Sequence, residues 1–139
     1  MRQPFGRRRA RSAGQGLVEF ALAIPIFLLV VLAIMEGASY GFAVTTLQSA
    51  AQHGARLAAL PLTEDEAAVE TEVIEHAGPV AVSTSQIAVS VNGGGTTFAD
   101  RETGDRVRVT IAFAYRPLTS VLFGGAVFSL AAAAEYVVE

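Results

Sequence analysis

Cysteine is absent from the 139-residue chain, which excludes a disulfide framework and any thiolate-ligated metal centre. The redox compartment therefore leaves no mark on the composition. Only two histidines occur, His53 and His76, on separate segments and without an HxxxH spacing. They read as two solvent-facing helix residues, not as metal ligands. No Lys-Ser/Thr pair and no helix start come after Gly93-Gly94-Gly95, so that run reads as a hairpin tip and not as a phosphate cradle. The acids Glu64, Asp65, Glu66, Glu70, Glu72 and Glu75 lack calcium-loop spacing and read as a solvated helix face. No nucleophile-elbow pattern surrounds any serine. The chain offers no catalytic residue, no metal site and no cofactor motif, and reads as a non-enzyme.

Acidic residues are also missing from the first fourteen positions, which hold Arg2, Arg7, Arg8, Arg9 and Arg11 and so carry +5. The remainder holds the other five arginines and all thirteen acids, or -8, within a net charge of -3. Such a split points to two environments. Basic residues flanking a span are retained on the cytoplasmic side, which puts the N-terminus inside and the acidic remainder outside. No aromatic or Gly/Arg repeat accompanies the arginines, so nucleic acid is not read as a partner.

Beyond the arginines the chain turns apolar. Phe20 to Met35 is an uncharged run of sixteen residues, extended by Leu17 and Val18 before it and by Gly37 to Val44 after it. A bilayer crossing needs about 20 such residues. Glu19 and Glu36 bracket the run seventeen residues apart. That spacing is ~26 Å of helix, so each acid can sit near an opposite membrane face. Pro25 removes a donor to the carbonyl of Ala21, and a local loosening is expected there. Gly37 and Gly41 form a GxxxG pair that lets another helix approach closely. Outside the span a stripe of Val44, Leu47, Ala51, Gly54 or Ala55, and Ala58 keeps helical spacing up to Pro61.

The rest reads as a small α+β unit. Thr63 with Glu66 has capping-box spacing, Val69, Val73 and Ala77 mark a helix face, and Gly78-Pro79 ends it. Strands come next. Ile87, Val89 and Val91 alternate with small residues, and Asn92-Gly93-Gly94-Gly95 turns the chain. Val107, Val109, Ile111, Phe113 and Tyr115 alternate with Arg106, Arg108, Thr110, Ala112 and Ala114, and Phe128 to Val138 forms a last strand. The fold class is therefore α+β: a long N-terminal transmembrane helix continuing into one helix and a three- to four-stranded antiparallel sheet. The boundaries are 1–14 for the basic leader, 15–44 for the span, 45–61 for its outer continuation and 62–139 for the outer domain.

Residues 14 to 60 resemble the TadE-like family, the minor pilins or pseudopilins of bacterial tight-adherence (Tad/Flp) pilus systems. The resemblance is carried by Gly14, Val18-Glu19-Phe20-Ala21, Pro25, the apolar run, Glu36-Gly37 and Ala51-Gln52-His53-Gly54-Ala55-Arg56-Leu57-Ala58-Ala59. It implies a prepilin peptidase cutting between Gly14 and Gln15, with Glu19 and Phe20 then at the fifth and sixth mature positions. It also implies other pilin and minor pilin subunits, the inner-membrane assembly machinery and membrane lipid as partners. The implied location is the cytoplasmic (inner) membrane, single-pass, with the C-terminal domain outside, or the pilus itself. Two other readings stay open. One is an ordinary signal sequence cut at Gly41-Phe42-Ala43, leaving Val44 first; the other is an uncleaved anchor presenting an extracytoplasmic interaction domain.

Overall fold

The computed structural model describes residues 8–63 and 65–139; Arg2 and Arg7 of the basic leader, and Glu64, lie outside the described residues. Helix α1 runs Arg8–Ala58 and helix α2 Glu66–Ala77. Three strands follow, β1 Ile87–Val91, β2 Arg106–Tyr115 and β3 Phe128–Val137, with a short 3-10 turn before β1, after β1 and before β3. The sheet is antiparallel in the order β1-β2-β3, which makes the α+β class with three strands among the described residues. The chain divides after Gly37 into two compact units.

In the first unit α1 carries Pro25 within its length. Its 18-residue window of highest mean hydropathy, 2.8, has none of its residues buried.

The second unit, Ala38–Glu139, is built from alternation. On the inner face of the sheet, Val91, Val107 and Tyr136 stand abreast across the strands. Val89, Val109 and Ala134 form the next rung, and Ile87, Ile111 and Ala132 the one after. Val107, Val109 and Ile111 are fully buried, each contributing about 1.5–3 kcal/mol of apolar burial. Period-two patterning sends Arg106 and Arg108 to the outer face, where both meet Glu135 of β3 at 3.5 and 2.8 Å.

Onto the inner face pack α2, through Val69, Val73 and Ala77, and the last turns of α1. The buried stripe of α1 is Ala43, Leu47, Ala50, Ala51, Gly54, Ala55 and Ala58; of the stripe expected from the sequence only Val44, at 39%, is exposed. At 3.6 residues per turn Val44 lies about 60° from Leu47, between Ala51 and Ala55 in angle, so it shares this face and is its least covered member. Gly54 is where the three elements meet. A Cβ there would collide with Val73 Cγ2, with Val109 Cγ1 at 3.6 Å and Val69 Cγ1 at 3.7 Å.

Two local devices differ from the sequence expectation. The cap of α2 is Asp65, whose carboxylate accepts from Ala67 N–H at 3.0 Å. Thr63 Oγ1 instead donates to Leu57 O at 2.8 Å, closing the last turn of α1, so no Thr63–Glu66 capping box forms. The C-terminal end of α2 is as expected: Gly78, at φ 49°, donates to Ile74 O and Glu75 O. Asn92, Gly93 and Gly94 all take positive φ in the turn after β1, a run that favours glycine.

Candidate membrane and assembly segment

The residues named for processing and assembly all fall on α1. Gly14 and Gln15 lie within the helix and are exposed, as are Glu19, Phe20 and Pro25. Gln15 Nε2 donates to Glu19 Oε1 at 3.0 Å, an i,i+4 pair on one face. Gln15, the residue after the expected cut, thus stands one turn from the only acid in the first half of the span.

From Leu17 to Met35 nearly every large side chain faces outward. Leu17 is 70% exposed, Leu22 68% and Phe27 65%. In water this is a liability, because soluble chains rarely leave a contiguous apolar surface of that extent. In hydrocarbon it is favourable. The eleven Leu, Ile, Phe and Val residues between Phe20 and Met35 contribute about 3–7 kcal/mol to insertion at roughly 0.3–0.6 each. Among the described residues α1 is the one helix long and apolar enough to cross a membrane.

Glu36 is half-buried. Gly37 in the first unit and Gly41 in the second are both exposed, and a Cβ on either would meet nothing within 4 Å. Their lack of side chains is therefore not required by packing within this chain. Gly54, by contrast, is required.

Two groupings escape a reading of the sequence. His53 and His76 are not separate: their rings stack with centroids 3.9 Å apart at 17°. Glu72 joins them, its Oε1 3.3 Å from His76 Nδ1. Spacing along the chain carries no signal for this, because the helix crossing that makes it depends on Gly54. The second grouping is Arg101. Its guanidinium donates to Phe98 O at 2.7 Å, to Leu60 O at 3.2 Å and to Thr63 O, and it lies 3.9 Å over the Phe98 ring. It fastens the α1–α2 connection to the loop before β2. Arg101 and Thr63 also line a shallow hollow of about 320 Å³ with Pro61, Thr103 and Glu139.

Near the start of β2, Asp105 accepts from Glu102 N–H at 2.9 Å and from Asn92 Nδ2 at 2.7 Å. These bonds, the backbone one foremost, hold its carboxyl below the usual carboxylate range. Asn92 Oδ1 in turn accepts from Arg106 N–H at 3.0 Å, so the pair ties the turn after β1 to the start of β2.

No curated protein and no solved structure matches the chain significantly. A family model described as TadE-like protein matches residues 14–56, which takes in Gly14, the exposed apolar run and the stripe that packs on the sheet as far as Ala55. Over that segment, about a third of the chain, the sequence is similar to the TadE-like proteins.

Proposed function

We propose that this chain is a pseudopilin of a Tad-type pilus. It inserts in the cytoplasmic membrane through residues 15–44 with its N-terminus inside, and residues 45–61 and 62–139 stand outside. A prepilin peptidase cuts between Gly14 and Gln15, and the trimmed helix packs against other pilin subunits. Exposed Gly37 and Gly41 are the close-approach points of that packing, and Pro25 a place where a neighbour covers the freed carbonyl.

The observation that carries this reading is the placement of Glu19. It is a carboxylate on an otherwise apolar exposed face, hydrogen-bonded to the residue that becomes the new terminus. Cleavage removes the leader arginines and creates an α-amine at Gln15. Glu19 then pairs with the α-amine of a neighbouring subunit and sets the axial register, as a lone polar residue does in a coiled coil. An ordinary signal cut after Ala43 fits less well, because Ala43 is 4% exposed and belongs to the core of the outer unit.

Glu19→Gln tests the proposal. The variant inserts into the membrane at the wild-type level but no longer supports pilus assembly. Wild-type piliation with Glu19→Gln in place of the native chain contradicts the role given to the carboxylate.

A further inference from the structure

We propose that His53, Glu72 and His76 form a binding site for a divalent transition-metal ion, with zinc as its representative. The inference is independent of pilus assembly, since it concerns only the outer unit.

Each of the three side chains offers one ligand atom, and these atoms all lie within 4.8 Å of one another. Tetrahedral coordination at Zn–N and Zn–O distances of about 2.0–2.1 Å sets neighbouring ligands roughly 3.3 Å apart. Closing that gap takes shifts of up to about 1.5 Å, with the stacked His53 and His76 rings turning apart so that a nitrogen of each faces the ion, in side chains that are exposed or half-buried.

The backbone beneath them is not free to move. His53 precedes Gly54, Glu72 precedes Val73 and His76 precedes Ala77. Gly54, Val73 and Ala77 are all buried, and Gly54 meets Val73 and Val69 of α2 directly. The ligand-bearing positions therefore stand next to buried positions of two helices, and a site on rigid elements holds its geometry better than one on loops. Glu72 and His76 are one helical turn apart and share a face. His76 Nδ1 lies 3.0 Å from Glu72 O, a carbonyl that only accepts, so in the tautomer that donates this bond Nε2 is the nitrogen open to an ion. An imidazole whose other nitrogen donates to a carbonyl is the usual arrangement around a metal ligand.

The donor set decides the ion. Two imidazoles and one carboxylate suit zinc, copper or nickel, whereas calcium and magnesium require more oxygen donors than one Glu supplies. The acids Glu66, Glu70 and Glu75 on the same helix add a negative field that favours a dication. Three protein ligands leave a fourth position open to water on the exposed side. A bound ion would pin the outer end of α1 to α2, doing for this cysteine-free unit what a disulfide does elsewhere.

The test uses the tag-free full chain in detergent micelles, stripped with a chelator and titrated with zinc chloride. Calorimetry gives stoichiometry and affinity, and NMR tracks the histidine ring signals. The expected result is one saturable zinc per chain, with His53 and His76 resonances shifting together and a rise in the unfolding temperature of the outer unit. His53→Gln, Glu72→Gln and His76→Gln each weaken binding at least tenfold, while Glu75→Gln leaves it within about twofold. Calcium chloride produces no saturable shift. Absence of saturable uptake overturns the proposal, as does uptake that survives in His53→Gln or leaves the His53 ring signals unmoved in the wild-type chain. The wild-type NMR titration decides the matter even where a Gln variant folds poorly.

Discussion

Substituting Gly54 by alanine isolates the contact on which the outer unit is built. On an open helix surface the added methyl would stabilise by about 1 kcal/mol, since glycine is the poorer helix former. Here it is driven into Val73 Cγ2, with Val109 and Val69 in van der Waals contact behind. Val73 is fully buried, and a β-branched side chain in a helix has one strongly preferred rotamer, so it cannot turn aside cheaply. Overpacking of this kind costs about 1–3 kcal/mol, which outweighs the propensity gain. With overpacking at its upper end, as the locked Val73 rotamer demands, Gly54→Ala should therefore destabilise the outer unit by a net of about 2 kcal/mol, a fall of roughly 8–16 °C in unfolding temperature for a unit of this size. Thermal and urea unfolding in micelles, monitored by the near-ultraviolet signal of Tyr40 and Tyr115, reads it; these rings pack edge to face at 5.6 Å. Val73→Ala alone opens a cavity and also destabilises. Combined, the two changes complement each other, and the double variant should lose at least about 1 kcal/mol less than the two single losses together. A Gly54→Ala chain more stable than wild type, or strict additivity with Val73→Ala, would refute the packing assigned to α1.

Arg101→Ala strips three backbone carbonyls and the Phe98 ring of one cation, and should cost about 2–3 kcal/mol and hasten proteolysis between Leu60 and Asp65. Limited proteolysis with unfolding measurements checks this, and an unchanged cleavage rate would count against the fastening role. Asp105 has its folded pKa below its unfolded value, so its stabilisation is complete above the ordinary carboxylate range and is lost as pH falls through the folded value. Asp105→Asn should lower stability at pH 7 and flatten the decline between about pH 5 and 2. Unfolding curves across that range that fall equally in both chains would show that the carboxylate is not responsible.

The strands are legible in the sequence because period two is strong where one face is fully apolar and the other holds arginines, as in Arg106 to Tyr115. The membrane run is equally plain, since nothing between Phe20 and Met35 carries charge. The outer part of α1 is harder. Alanines at 50, 51, 55, 58 and 59 spread over about half of the circumference, so hydrophobicity alone does not fix the edges of the buried face, nor show that Val44, whose angle falls within it, stays 39% exposed. The Thr63 cap misleads for a related reason: the hydroxyl has two helix ends within reach, and only the folded connection shows which it serves. His53 and His76 meet because α1 and α2 cross at a glycine, a tertiary fact with no trace in their own spacing. Arg101 sits in a loop rich in turn residues, where one cation gives no periodic signal.

Behind the proposed function stands a single covalent event, the loss of the arginine leader from an apolar helix. Intact-mass measurement of the protein extracted from membranes, in cells with and without an active prepilin peptidase, reads it directly. The mature chain should begin at Gln15 when the peptidase is active and keep its leader when it is not. A chain that begins at Val44, or one that retains its leader in peptidase-positive, piliated cells, would contradict it.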